Sequence, residues 1–392
     1  TVLSAVSVPQ FGLAEAVAKM AFGNKIGFDF EELSVEEMFT SSYGSILLEL
    51  KNSIDTYQLP ETAVKIGLTT DQRAIKYKDT VLDLDLALNW WEEPLEDIFP
   101  TKTKEEGKTI DILTKAESIY TAKNKVAKPS VFVPVFPGTN CEYDTRLAFE
   151  KAGANVNEVV FRNLTPEMVN QSVEDMVEGI KKSQMIMIPG GFSAGDEADG
   201  SGKFIATVFR NPAISEAVMD LLKNRDGLML GICNGFQALI KLGLVPYGEI
   251  RDLTDEAPTL TYNTIGRHIS RMATTKIMSN KSPWLAGVTP GDIHQIPLSH
   301  GEGRFVASDE MIRDLFDKGQ VMTTYVNSQG KPSLEVVDNP NGSKYAIEGI
   351  ISPDGRVLGK MGHSERIGNN VAKNIYGNQD QKLFESGVKY FL

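Results

Sequence analysis

The sequence predicts an α/β fold, a parallel sheet covered by helices over residues 130–392, preceded by a smaller α+β unit over residues 1–100. Three observations carry this. From Ser130 onward short apolar runs alternate with helical stretches, the order in which strands of a parallel sheet and their crossovers are written. Before Pro100, short strand-like and helical stretches mix without that order. The 392 residues are enough for two or three domains, at roughly 100–200 residues each.

In the first region, residues 12–22 (GLAEAVAKMAF) place apolar side chains at helical spacing. Residues 43–50 (YGSILLEL) and 63–68 (AVKIGL) read as strands. Residues 82–91 begin with alternation and turn helical before Pro94. Residues 101–129 change character: TKTKEEGK opens and AKNKVAKP closes a charged stretch, expected to be a linker with a helix around 110–120. Beyond it come a strand at 131–136, a helix at 143–152 and a strand at 156–161. Thr165 and Pro166 then cap another helix. Strands follow at 184–188 and 227–232, separated by a helix at 212–223.

Composition bounds the chemistry. Lys and Arg number 40 against 52 Asp and Glu, a net charge of −12 with no basic block, which argues against general nucleic-acid or membrane-surface binding. No apolar run approaches the roughly 18 residues of a membrane span, and no signal segment opens the chain. Two cysteines, Cys141 and Cys233, make neither a disulfide scaffold nor an all-cysteine zinc site, and a reducing cytoplasm is expected. The chain begins at Thr1 without an initiator Met, as expected of a piece of a longer polypeptide.

The sharpest local pattern is an apolar strand running into Gly231-Ile-Cys233-Asn234-Gly235 and then a helix. This is the cysteine form of the strand–elbow–helix turn that displays a nucleophile above the carboxyl edge of a sheet. Glycines two residues to either side relieve crowding in such a turn. A helix N-terminus behind a thiol favours the thiolate, and the Asn234 amide is placed for an oxyanion. Cys141, in PGTNCE at the end of the first strand, has no such glycine pair and is expected to be a bystander near the site.

A thiol nucleophile needs a base, and the base an orienting carboxylate. His363-Ser364-Glu365 offers both, facing the same way if the segment is extended. Gly190 and Gly191, ending a strand, are candidates to bring backbone amides close to a ligand. His300, in His300-Gly-Glu-Gly-Arg304, is expected on a polar loop that forms a substrate lip, a contact to another domain or an ordinary stretch of surface. His268 and His294 carry no supporting pattern, and no histidine spacing indicates a metal site.

Taken together, GICNGFQ (231–237), PGGFSAGDE (189–197), PLSHGEGRF (297–305) and SPDGRVLGKMGHSER (352–366) resemble the carboxyl-terminal glutaminase domain of the phosphoribosylformylglycinamidine synthase family of purine biosynthesis. VFPGTNCEYDTRLAFEKAGA (135–154) resembles that domain's first strand and helix. Residues 7–28 resemble, less closely, the end of the synthetase-like half that precedes it in long single-chain members.

The resemblance implies a class I glutamine amidotransferase, flavodoxin-like with helices on both faces of its sheet. It implies Cys233 as nucleophile, His363 as base and Glu365 as its partner, with Gly190, Gly191 and the Asn234 amide as oxyanion donors. Glutamine is the implied substrate, and upstream synthetase domains of the same polypeptide are the implied partners. ATP and magnesium are implied for those upstream domains and no cofactor for this chain, which shows no phosphate-binding loop. Two departures stand out: His-Ser-Glu where His-Pro-Glu is usual, and Gln10-Phe11-Gly12 where related synthetase halves carry an Asp-Gly-Gly loop. A different cysteine hydrolase and a non-catalytic docking module on the same fold are the competing expectations.

Overall fold

The computed structural model describes residues 2–51, 59–103, 107–195 and 201–392. These divide into two compact units, Thr1–Thr101 and Lys102–Leu392. The last residues of the 189–197 motif, Asp196 and Glu197, and part of the charged stretch at 104–106 lie outside the described residues.

The first unit runs β1 (Val2–Ser7), α1 (Gly12–Asn24), β2 (Gly27–Phe30), α2 (Val35–Phe39), β3 (Ile46–Leu50), β4 (Gly67–Thr70), β5 (Ala74–Tyr77), β6 (Thr80–Asp83) and α3 (Leu84–Glu92). β1 and β3 form an antiparallel pair, and a second sheet has the order β4-β2-β5-β6. Val17, Ala21, Ile75 and Leu84 make its small core. The expected strand at 63–68 begins only at Gly67. Residues 63–65 are exposed, and pairing starts where β2 runs alongside, Phe30 opposite Gly67.

The second unit contains β7 (Ser130–Val135), α4 (Glu142–Lys151), β8 (Asn155–Val160), α5 (Pro166–Lys182), β9 (Met185–Ile188), α6 (Lys203–Phe209), α7 (Pro212–Asn224), β10 (Leu228–Ile232), α8 (Asn234–Leu242) and α9 (Leu244–Tyr247). After these come β11 (Thr259–Thr261), β12 (Ile269–Ile277), β13 (Ile293–His300), β14 (Arg304–Val306), α10 (Asp309–Asp317), β15 (Val321–Tyr325), β16 (Ile347–Ile351), β17 (Val357–Lys360) and α11 (Leu383–Lys389). The expected α/β organisation is present. Strands β8, β7, β9, β10 and β17 pair in parallel. Beyond β17 the sheet continues antiparallel through β16, β15, β12 and β13, an extension the sequence reading did not resolve.

β9 and β10 (MIMI and LMLGI) are wholly buried, which is why they read as unbroken apolar runs rather than alternating ones. Thr165 caps α5 through a bond to the Met168 amide at 3.2 Å, with Pro166 in the first turn. The helix expected at 110–120 is absent. This stretch lies extended along the second unit: the Thr114 amide bonds Met278 O, and those of Ala122 and Val126 bond Tyr390 O and Phe391 O. Several of its amides thus find tertiary acceptors in place of helical ones.

Candidate active site

The site gathers at the carboxyl edge of the parallel strands. β10 delivers Cys233, β9 delivers Gly190 and Gly191, β7 leads to Cys141, and β17 leads to His363 and Glu365.

Cys233 sits between β10 and α8 with φ 54° and ψ −108°, a conformation that a side chain adopts only when the surroundings enforce it. Both flanking glycines are dictated by close approach. A β-carbon on Gly235 would lie 2.0 Å from Ile188 O, and one on Gly231 2.7 Å from the Gly235 carbonyl. The Cys233 amide is fixed by Lys360 O at 2.8 Å, and its thiol is directed at Ser299 O, 3.8 Å away.

His363 and Glu365 form a buried pair, Nδ1 to Oε1 2.6 Å. The segment is a turn, not the extended run expected: the Arg366 amide bonds His363 O at 3.2 Å. A turn still brings side chains two residues apart together. With Nδ1 engaged by the carboxylate, Nε2 is the ring nitrogen left for proton exchange. Burial pulls the His363 pKa down, but the Glu365 carboxylate and Cys233 outweigh it and hold the imidazole well above its usual range. Burial pushes Glu365 up, and His363 with its hydrogen bond outweighs this, leaving the carboxyl below its usual range.

Gly190 is where these groups meet. A β-carbon there would lie 2.8 Å from His363 Cε1, 3.1 Å from Cys141 Sγ and 3.4 Å from Cys233 Cβ. Its carbonyl accepts from the Cys141 amide at 3.3 Å, tying the β7 loop to β9. Gly191, at φ 151°, crosses that loop so closely that a β-carbon would meet Gly138 O at 2.7 Å. Asn234 opens α8, where first-turn amides have no helical acceptor, and its side-chain Oδ1 accepts from the Ser193 amide at 3.3 Å. The elbow and the Gly190–Ser193 loop are thus one assembly.

His300 does not form a surface lip. It ends β13 at 3% exposure, its ring pressed on Gly303, with neither ring nitrogen bonded to another group. Burial, reinforced by His363 and His268, lowers its pKa to about 3, so it is neutral. The neighbouring residue Ser299 is the one whose carbonyl faces the Cys233 thiol.

Cys141 is nearer the centre than its sequence context indicated. Its sulfur is 4.0 Å from His363 Nδ1 and 3.0 Å from Arg366 Nη2. Its place at a strand's carboxyl edge was the available signal. Among the described residues, Cys141, His363 and Glu365 have ligating atoms within 4.8 Å of one another. The Arg366 guanidinium on Cys141 already supplies positive charge there, and the donor set reads as a proton-handling cluster. Also unforeseen was the link from Gln237 Nε2 to Glu302 O, with Glu302 Oε2 accepting from the Ser201 amide at 2.8 Å.

Residues 128–391 match the CobB/CobQ-like glutamine amidotransferase domain. The chain is 35% identical over 242 residues to phosphoribosylformylglycinamidine synthase subunit PurQ of Methanococcus maripaludis strain C7, covering 61% of this chain and 82% of that one. It is 33% identical over 263 residues to the same subunit of Chlorobaculum tepidum, covering 67% and 97%. To that of Treponema denticola it is 33% identical over 288 residues, covering 68% and 100%. Among solved structures, PurLQS from Thermotoga maritima aligns with a TM-score of 0.49 at 27% identity, covering 68% of this chain and 100% of that one.

Proposed function

The chain belongs to the CobB/CobQ-like glutamine amidotransferase family, and we propose that it performs the glutamine-hydrolysing half-reaction of a phosphoribosylformylglycinamidine synthase in purine biosynthesis. The observation that carries this is Cys233 on a strained elbow, with the His363–Glu365 pair converging on the same glycine. It stands in a chain one third identical to PurQ subunits over nearly their whole length.

In this reading His363 Nε2 takes the Cys233 thiol proton as Sγ bonds to the carbonyl carbon of the glutamine side-chain amide. The displaced electron pair settles on the oxygen, where backbone amides of Gly190, Gly191 and Asn234 receive it. Collapse breaks the C–N bond. His363 Nε2 gives its proton to the nitrogen, which leaves as ammonia, and a γ-glutamyl thioester remains on Cys233. Water's oxygen then bonds to the thioester carbon as His363 takes its proton, and the C–S bond breaks, returning its electron pair and the proton to Cys233 and releasing glutamate. Glu365 holds the ring and stabilises its charged form, as the raised His363 pKa requires.

The ammonia serves ATP-dependent conversion of formylglycinamide ribonucleotide to the amidine. We assign that step, with its ATP and magnesium, to synthetase domains outside this chain. The unit Thr1–Thr101 lies outside the matched residues 128–391, and PurQ relatives are accounted for by about two thirds of this chain. A separate unit ahead of the matched residues leaves room for our reading of residues 1–100, which rests on the resemblance of residues 7–28: the end of a synthetase-like domain joined to the glutaminase in the long single-chain form. Among the described residues no helix is long and apolar enough to cross a membrane. A cytoplasmic site of action is part of the same reading.

The test is glutamate release from glutamine by the protein assembled with its synthetase domains, with amidine formation followed alongside. Release that depends on Cys233 and supplies the amidine nitrogen supports the reading. Amidine formation from glutamine undiminished in Cys233→Ala contradicts it.

A further inference from the structure

Two buried charges stand directly behind the site. Lys360 ends β17, and Glu348 lies on the adjoining antiparallel strand β16. Both side chains are fully buried, Nζ to Oε1 3.2 Å. Both also bond the backbone of one residue, Gly362, immediately before His363. Lys360 Nζ donates to Gly362 O at 2.6 Å, and the Gly362 amide donates to Glu348 Oε1 at 2.6 Å. Thr323 Oγ1 donates to the other Glu348 oxygen. The fit is tight: a β-carbon on Gly362 would lie 2.6 Å from Ile296 Cγ2 and 3.0 Å from both Glu348 Oε1 and Lys360 Nζ.

The next residue continues the hold, the His363 amide donating to Pro297 O at 2.9 Å. Lys360 also reaches the nucleophile, since its own carbonyl accepts from the Cys233 amide at 2.8 Å. One residue therefore fixes the elbow with its backbone and the histidine turn with its side chain.

Removing an ion pair from water is costly, and an apolar pair of similar volume often packs as well or better. What an apolar pair lacks is opposite charges on the N–H and C=O of a single residue. Catalytic geometry is held by such supporting bonds, and a displacement of about 1 Å is enough to cost on the order of 10²-fold in rate. We propose that Lys360 and Glu348 are positioning residues for the reaction: their ion pair fixes Gly362 and thereby aims the His363 ring at Cys233. The turnover part rests on the function proposed above; the geometric part does not.

The test uses the full chain with its synthetase domains and two variants, Lys360→Met and Lys360→Met/Glu348→Leu. The single variant leaves Glu348 buried without its cation and is expected to melt well below the parent. The double variant is expected to regain most of that loss yet keep kcat for glutamate release roughly ten- to a hundredfold low, with KM for glutamine little changed. The pH dependence of Cys233 alkylation by iodoacetamide, located by mass spectrometry, is expected to shift, because it reads the Cys233–His363 relationship directly.

A folded double variant with parental kcat and a parental alkylation profile overturns the proposal. Should the double variant not fold, Thr323→Val loosens Glu348 while keeping both charges; parental kcat and profile there likewise overturn it. If the parent alkylates in a His363-dependent manner but releases no glutamate, the functional reading fails, and the alkylation profiles still decide the positioning role.

Discussion

Gly190 and His363 occupy complementary space: a β-carbon on the glycine would stand 2.8 Å from His363 Cε1, inside the contact distance of two carbons. The histidine can hold its place only because position 190 has no side chain. Gly190→Ala is expected to displace the imidazole and lower kcat by about 10²-fold. Stability is expected to fall as well, because the displaced imidazole strains its buried bond to Glu365. Glutamate-release kinetics and a urea unfolding curve on the same preparation separate the two effects.

The two cysteines make opposite predictions. Cys233→Ala removes the covalent route and is expected to lower glutamate release by at least about 10³-fold. Cys141→Ala removes a thiol 4.0 Å from His363 Nδ1 but no bond-forming atom, and is expected to retain activity within about tenfold. Parallel kinetics on the pair check this, and a reversed order would move the nucleophile to Cys141.

The pH dependence follows from the His363–Glu365 pair. His363, raised above its ordinary 6.5, adds stability that is complete below that value and lost as pH rises through its folded pKa. Glu365, lowered below its ordinary 4.5, adds stability that is complete above that value and lost as pH falls through its folded pKa. Both contributions are therefore whole between the two ordinary values. Glu365→Gln is expected to destabilise most in that window, by about 3–5 kcal/mol for a broken buried pair. It also removes the charge that raises His363, so the alkaline limb of the activity profile is expected to move to lower pH. Denaturant curves and pH–rate profiles read the two effects.

Gly235 is fixed by backbone, not by a side chain that can yield. Its β-carbon would meet Ile188 O at 2.0 Å, so Gly235→Ala must part α8 from β9. A loss of roughly 1–3 kcal/mol is expected, as for overpacked interiors. Chemical unfolding of the variant measures it.

The parts of this protein legible in its sequence are those written in local pattern. Strands β7, β9 and β10 are apolar because both faces are covered, the elbow needs glycines at 231 and 235, and Thr165-Pro166 caps α5. His363 and Glu365 were legible as a pair because only Ser364 separates them, although the turn joining them was not. What stayed hidden depends on strands far apart in the chain. Cys141 meets Arg366 across 225 positions. The antiparallel edge joins β12 to β15 with β13, β14 and α10 between them in the chain. The strap at 107–129 takes its shape from carbonyls such as Met278 O and Tyr390 O, which no local periodicity announces.

The central claim is that Cys233 is the nucleophile served by His363. It is tested most directly by treating the full protein with a glutamine analogue carrying an electrophile at the γ-position and mapping the adduct by mass spectrometry. A single adduct on Cys233, slowed strongly by His363→Ala and prevented by excess glutamine, is the predicted result. An adduct on Cys141 instead, or labelling of Cys233 that neither glutamine nor His363→Ala affects, would contradict it.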